Sequence, residues 1–559
     1  MVRYEDKAQV DFVVIGGGGA GAVVAKELSA EGFQVVILEQ GPYLHEGDFE
    51  HDELKFKHIY EPHAIGRESL TNVHALQPNT FRKTEAEKAI VTPFLEYGRC
   101  IGGGTVHFTG NYWRFHEVDF HERSTWGELP GTGLADWPIS YAELEPYYTK
   151  AEWELGVSGS AGANPFDPPR SKPYPLPPMP IKSSGVLLEE AARKLGWHPY
   201  PAPLAILSQP YKGRAACAHC GFCEYFGCEW GAKSSTLASV IPMAEKTGRC
   251  EIRPNSYVRK ISSDVRGRVD GVIYFDPQKQ EHFQRAKAVV VCCNGAETPR
   301  LLLISKSNLF PQGLANSSGL VGKYFMIDLG SLCQGTFKQP LNEYKGVRVT
   351  RVVQDFYDSD PKRGFFGGGG IDTRFDFYPI SFALNGLPPG TPRWGEGFKN
   401  TLMENFNHTM TVLSHTTCLP LESNSISLDP EVKDAWGLPA VRITYKSHSD
   451  DFSTMKFFSE RSMELLDAAG ATKKWAAPIG DANASGHLMG TCRMGNSPQH
   501  SVVDKYNRSH DVPNLFVVDG SSFVTCGRNQ PTCTIQALAY RAADHISRMA
   551  QSGSILSSV

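Results

Sequence analysis

The stretch DFVVIGGGGAGAVVAKELSAEGFQVVILE, residues 11–39, decides the fold. Its first five residues, Asp11 to Ile15, read as a short buried strand. The glycine run that follows satisfies G-x-G-x-x-G at Gly16, Gly18 and Gly21. A helix-like segment, AVVAKELSAEG, comes next, and a second strand from Gln34 to Leu38 ends at Glu39. Each part has a physical job. The glycines permit a tight turn and close approach to a pyrophosphate, while the helix N-terminus offers unpaired N–H groups and a positive dipole end. Glu39, 18 residues after Gly21, can accept hydrogen bonds from ribose hydroxyls. The complete strand–turn–helix–strand–acid unit predicts dinucleotide binding by a Rossmann-like α/β domain. The unit does not separate FAD from NAD. Its place at the start of a long chain, with further motifs scattered to the far end, favours FAD.

A second feature bears on where electrons go. Cys217, Cys220, Cys223 and Cys228 fall within the run CAHCGFCEYFGCEWGAK. The spacing is C-x2-C-x2-C-x4-C, one residue longer in its last gap than a bacterial ferredoxin run. Zinc is the weaker metal reading, because no second CxxC pair follows. A loop of reduced cysteines that binds nothing is the plain alternative.

Composition sets the bounds. The 559 residues suffice for more than one domain, and 41% apolar with 21% charged residues is ordinary for a globular chain. The net charge is −4 and no long Lys/Arg run occurs, which argues against nucleic acid or an anionic membrane surface as partner. No stretch of about 18 apolar residues is present, so no helix is expected to span a bilayer. Thirteen cysteines in this length do not make a disulfide scaffold, and CysCys at 292–293 reads as buried free thiols, so a reducing compartment is the default. The N-terminus lacks the basic start and apolar core of a signal peptide.

Further motifs recur along the chain: GRCIGGGTVHFTG at 98–110, CNGAETPRLLL at 293–303, GHLMGTCRMG at 486–495 and NLFVVDGSSFVTCGRNQPTCTIQALAYRAADHI at 514–546. Together with the first glycine motif they resemble the glucose–methanol–choline (GMC) family of FAD oxidoreductases. The resemblance spans most of the chain. It implies a Rossmann-like FAD-binding domain that is discontinuous in sequence, interleaved with a substrate domain built on an antiparallel sheet. The expected division is 1–162, 215–330 and 479–559 for the FAD domain. The connector and part of the substrate domain take 163–214, and the substrate domain proper takes 331–478. The Pro-rich run at 163–180 reads as an extended connector, and GFFGGGG at 364–370 as a loop or hinge. Between 330 and 475, GVRVTRVV and NSISLDP read as strands of the substrate sheet. Tyr112, Trp113 and the aromatics of 374–382 are candidates for a pocket lining or for core.

The resemblance also assigns roles. Gly103 lies in a glycine cluster expected at the cofactor. His107 occupies the position where pyranose oxidases and related sugar dehydrogenases can join a histidine covalently to the flavin. Asp519 and Gly520 form a turn expected to contact FAD, Val258 is the position expected to meet adenine through its backbone, and the helix after Pro531 is expected to aim its N-terminus at the flavin. Oxidising an alcohol by hydride transfer to flavin N5 needs a base for the hydroxyl proton, and imidazole suits neutral pH. The family pattern gives this role to His487, with Asn529 as an amide donor to the same oxygen. In bacterial FAD sugar dehydrogenases a C-x5-C-x3-C pattern holds a 3Fe-4S cluster. Here Cys217, Cys223 and Cys228 give C-x5-C-x4-C, one residue longer, and Cys220 has no counterpart. The expected activity is oxidation of a sugar or glycoside hydroxyl, with electrons leaving through the cluster to a cytochrome or quinone. A small partner subunit would carry an export signal, so the chain is expected in the cytoplasm, or in the periplasm with such a partner. An oxidase with structural cysteines is the alternative. A non-catalytic flavoprotein scaffold would leave His487 and Asn529 idle.

Overall fold

The computed structural model describes residues 2–5, 7–54, 76–482 and 484–555. Strand Val10–Ile15 lies inside a seven-stranded sheet. Val35–Leu38 pairs with it in parallel on one side, Val13 opposite Val36, and Glu281–Val291 on the other, Val13 opposite Val289. Val10, Phe12, Val13, Val14 and Ile15 are all buried, as a strand covered on both faces requires. Cys250–Arg253 extends the parallel run beyond Val35–Leu38. Leu515–Val517 joins Glu281–Val291 and so brings the C-terminal segment beside the first strand's neighbour.

Strand Glu281–Val291 serves two pairings. Its residues from Ala286 onward pair with Val10–Ile15, whereas Glu281 to Arg285 pair antiparallel with Val269–Phe275. Val269–Phe275 in turn pairs with Tyr257–Ser263. Helices Gly21–Ala30 and Thr532–Gln551 pack on one another over the parallel part. The Rossmann-like expectation holds.

The substrate-domain sheet is antiparallel, as expected. Its order is Lys473–Ala476, Leu332–Thr336, Thr409–Thr416, Gly369–Arg374, Arg351–Val353 and Pro199–Pro201. Helices Ser183–Lys194 and Ser449–Ala469 back it with an apolar layer that includes Leu188, Phe458, Leu465 and Leu466.

Three local expectations differ from the structure. The NSISLDP strand, Ser425–Lys433, is not in the substrate sheet. It pairs with Pro439–Thr444 in a separate four-stranded sheet, completed by Asn79–Arg82 and Ile90–Val91 from the N-terminal part. Only Arg351–Val353 of GVRVTRVV forms a ladder. The Gly-rich run is a loop over 364–368 as expected, but Gly369 and Gly370 already begin a strand, and a Cβ on Gly369 would stand 2.0 Å from the carbonyl oxygen of His415. Glycine there serves close approach of two backbones. Phe375, Tyr378 and Phe382 are core, buried with Phe406 and Phe222 as neighbours.

Candidate active site

One large cavity of about 580 Å³ runs from the glycine turn to the substrate sheet. Gly16, Gly18, Glu39, Gly103, His107, Val258, Asp519, Gly520 and His487 all line it. Residues scattered over most of the chain thus face one space.

The nucleotide end is built mainly from backbone. Gly16 has φ +94°, and a Cβ there would stand 2.6 Å from the Cys292 carbonyl oxygen. Gly21 is not on the wall: its Cβ would collide with the Gly16 carbonyl oxygen at 1.9 Å, so its role is to seat the helix on the turn. Glu39 accepts from Gly17 N–H at 2.9 Å and from Gly41 N–H at 3.0 Å. Burial outweighs these bonds and pushes its pKa up to about 7. Asp519 is tied down by Ser521 N–H at 2.8 Å and the Thr298 hydroxyl at 2.6 Å, which fixes the turn that Gly520 continues. Pro531, Thr532 and Ile535 place the first turn of the long helix on the cavity wall.

These features fit FAD. The glycine turn lies on the cavity wall in a tight conformation that a Cβ at Gly16 would break, and a carboxylate stands where the second strand ends. His107 adds an observation from the middle of the cavity. Its Nδ1 is buried with no hydrogen-bond partner, and burial, followed by the charge of Lys233, pushes its pKa down to about 3. The ring is therefore neutral at physiological pH.

The far end is built from side chains. Nδ1 of His487 lies 3.0 Å from Oδ2 of Asp328. That contact fixes the tautomer: Nδ1 carries the hydrogen and donates it, and Nε2 keeps a lone pair. His415 Nδ1 lies 3.2 Å from the same oxygen, and its Nε2 lies 2.9 Å from Oδ2 of Asp372. Arg374 donates from Nε to Asp372 Oδ1 at 2.7 Å. Burial opposes a charge on His415, but the two carboxylates prevail and raise its pKa to about 9. Hydrogen bonds from both histidines outweigh burial at Asp328 and hold its carboxyl well below the usual range.

Asn529 is not on the cavity wall. Its amide nitrogen donates to the Arg114 carbonyl at 2.9 Å and lies 3.3 Å from the Tyr357 hydroxyl. The preceding Arg528 is fully buried on Asp119 and Glu122. The structure therefore does not bring Asn529 to His487. The next residue, Gln530, lines the cavity, with Nε2 2.8 Å from His415 Nε2 and Oε1 buried without a hydrogen-bond partner. Asp328, His415, Arg374 and Gln530 are the wall residues that sequence reasoning missed. Isolated Asp and His residues in apolar runs carry no local signal. Only Gln530, adjacent to a residue already singled out, was within reach.

Cys217, Cys220, Cys223 and Cys228 do not line the cavity, although Glu224 and Tyr225 of their loop do. Tyr225 N–H donates to the His107 carbonyl at 2.8 Å. The buried ammonium of Lys233 donates to the carbonyls of Phe108 at 3.0 Å, Phe226 at 2.8 Å and Cys223, joining the two segments. Burial outweighs the His219 N–H bond at Cys217 and the Lys233 charge at Cys223 and, with the neighbouring thiols, raises the thiol pKa to about 11 and about 12 respectively. Among the described residues, no three His, Cys, Asp or Glu side chains converge to hold a metal ion. As folded, the loop does not fit a metal centre. No helix of the described residues is long and apolar enough to cross a membrane. Trp113 and Tyr112 are buried off the cavity: the Trp113 ring meets His415 edge-on at 5.7 Å, and Tyr112 OH bonds Gln536.

Comparison with known proteins agrees with this architecture. The GMC oxidoreductase model matches residues 10–323, and its C-terminal counterpart matches residues 420–539. A 2-methyl-1,2-propanediol dehydrogenase from Mycolicibacterium austroafricanum is 36% identical over 97% of this chain and 95% of its own. The flavoprotein of gluconate 2-dehydrogenase from Pantoea cypripedii is 30% identical over 96% and 93%. The large subunit of fructose dehydrogenase from Gluconobacter japonicus is 29% identical over 96% and 97%. Among solved structures, pyridoxine 4-oxidase from Mesorbium loti superposes with TM-score 0.62 at 17% identity, covering 97% of this chain and 99% of that one, a likeness of fold. The glycine turn, the shared cavity and these matches lead to one conclusion: the chain belongs to the GMC oxidoreductase family, FAD-dependent enzymes that oxidise alcohol and sugar hydroxyls.

Proposed function

We propose that this chain is a dehydrogenase of a neutral polyhydroxy compound, a sugar or a small diol, with His487 as the base. The observation that carries this reading is the His487–Asp328 contact at 3.0 Å on the cavity wall, which leaves Nε2 of the imidazole unprotonated. Bound FAD would supply a two-electron acceptor at N5 for the hydride leaving the carbinol carbon. Gly16, Gly18, Glu39, Gly103, Val258, Asp519 and Gly520 would hold it, Gly21 supporting the turn, with His107 beside it.

The chain's own residues do the rest. His487 Nε2 takes the hydroxyl proton, and Asp328 stabilises the imidazolium that results. Gln530, rather than Asn529, presents an amide to the substrate, since it lines the cavity and Asn529, whose side-chain oxygen is likewise buried without a partner among the described residues, does not. Asp328 and Asp372 balance His415 and Arg374 in charge, which favours an uncharged substrate. The relatives named for a diol and for sugar-type substrates support the same class. A neutral imidazole at His107 suits a covalent bond to the flavin, and acid precipitation that leaves the yellow colour in the supernatant refutes one.

The proposed reaction stops at the reduced flavin, because the cysteine loop as folded does not gather ligands. A 3Fe-4S cluster on Cys217, Cys223 and Cys228, passing electrons to a cytochrome or quinone with help from a small partner subunit, needs the loop to close around it. With this reading we place the chain in the cytoplasm, or in the periplasm with an exporting partner. Iron and acid-labile sulfide in active protein support the cluster; their absence, with fast reoxidation by oxygen, supports the oxidase.

The test is anaerobic mixing of the FAD-loaded protein with a panel of diols, sugars, hydroxy acids and amino alcohols. Bleaching of the flavin by neutral polyols, lost in His487→Ala, is expected. No reduction by any hydroxyl compound, or reduction unaffected by His487→Ala, overturns the proposal.

A further inference from the structure

Two histidines share one carboxylate oxygen. Asp328 Oδ2 lies 3.0 Å from His487 Nδ1 and 3.2 Å from His415 Nδ1. The two rings are otherwise differently placed. His415 is 4% exposed, and its Nε2 meets a second carboxylate, Asp372, at 2.9 Å, with Arg374 Nη2 at 3.2 Å and Gln530 Nε2 at 2.8 Å also near it. A carboxylate at each ring nitrogen is what a doubly protonated ring satisfies, and the two nearby donors oppose it. Among the described residues His487 has an acceptor at Nδ1 only, and its side chain is 31% exposed. That is the pattern of a neutral ring with a free lone pair.

We propose that His415 is a positioning residue: a standing imidazolium that pins Asp328 so that His487 keeps its hydrogen on Nδ1 and turns Nε2 to the substrate. This rests on the reading of His487 as the base. Asp372 and Arg374 hold His415 in turn, from the strand Gly369–Arg374. The charge on His415 also opposes a second positive charge on the shared carboxylate. When it arrives, Asp328 faces both cations at once. The proton moves from the substrate oxygen to His487 Nε2, and nothing else changes bonding at the two rings.

The groups facing His415 come from several elements. They are Asp328, ahead of strand Leu332–Thr336; Asp372 and Arg374; His487 across Asp328; the Gln530 amide ahead of the long helix; and the Trp113 ring edge. Asp376 and Glu224 act on Arg374. Two carboxylates in direct contact against one adjacent guanidinium favour the charged ring, and burial does not reverse this.

The test uses the full FAD-loaded chain, its His415→Gln variant and its Asp372→Asn variant. With 15N-labelled histidine, the NMR signals that vanish in His415→Gln should show both ring nitrogens protonated from about pH 6 to about pH 8. In the same variant the His487 signals, identified with His487→Ala, should lose the preference for the Nδ1-protonated tautomer. The acid limb of the rate of flavin reduction should move to higher pH. The limiting rate should fall about 10-fold, while the apparent dissociation constant of the polyol changes less than about threefold. Asp372→Asn should move both quantities in the same direction by less, and it carries the test if His415→Gln does not fold. A neutral His415 at pH 7, an unchanged His487 tautomer, or a weaker dissociation constant at unchanged limiting rate each overturns the proposal. Retained flavin reduction in His487→Ala removes the base reading itself. Its loss there, with an unmoved acid limb in His415→Gln, defeats only the role of His415.

Discussion

The two ends of the cavity are made of different material. The nucleotide end is backbone: a glycine turn, a helix N-terminus, and a carboxylate that grips main-chain N–H groups. The substrate end is side chain: His487, Asp328, His415, Arg374 and Gln530, gathered from separate segments. Backbone recognition tolerates few changes because a Cβ has nowhere to go. Side-chain recognition can be altered residue by residue. This division lets one scaffold keep its cofactor while its substrate changes.

Selective damage should separate the ends. The largest effect belongs to His487→Ala, which should slow flavin reduction by about 100- to 10,000-fold while FAD content stays at one per chain. Rapid-mixing absorbance and a flavin count measure both quantities, and a loss of flavin would blur the division. Gly16→Ala should do the reverse. The new Cβ would press on the Cys292 carbonyl at a φ of +94°, so the protein should purify with FAD affinity weakened about 10-fold or more. Normal flavin content in that variant would show that the turn can relax.

A sharper contrast lies between adjacent residues. Gln530→Ala should lower kcat/KM about 10- to 100-fold with little change in melting temperature, because its amide faces the cavity. Asn529→Ala should instead cost about 1–2 kcal/mol of stability, from the bond to the Arg114 carbonyl, and should affect turnover less. The opposite ranking would return the amide role to Asn529.

A last contrast is in stability against pH. The folded pKa of His415 is raised to about 9, above its unfolded value of about 6.5. Its contribution is therefore fully present below about pH 6.5 and lost as pH rises through about 9, a loss on the order of 3 kcal/mol. Chemical denaturation across that window should show a decline that is absent from His415→Gln.

The same division explains what the sequence disclosed. The glycine turn, the first helix and Glu39 are contiguous, so their spacing alone states the job. The His487 network is not: Asp328 lies 159 positions from His487 and 87 from His415. No local pattern links an aspartate in a loop to a histidine in a buried strand, and only the folded sheet aligns them. Asn529 and Gln530 show the limit at finer scale. Motif position reached the right turn, but contacts of Arg528 with Asp119 and Glu122 decide which of two neighbouring amides faces inward. The strand Ser425–Lys433 was legible as a strand. Its partner was not, because pairing with Pro439–Thr444 and thence Asn79–Arg82 is a long-range choice.

Lys233 has one more consequence. Its ammonium has three hydrogens and spends them on three carbonyls, those of Phe108, Cys223 and Phe226. Such a tripod works as a gauge. It sets the number of residues that fit between Cys223 and Phe226, and it sets their distance from the segment that carries His107. An insertion there would strand a buried cation, so the loop's length is policed by a single side chain, whatever its thiols come to hold.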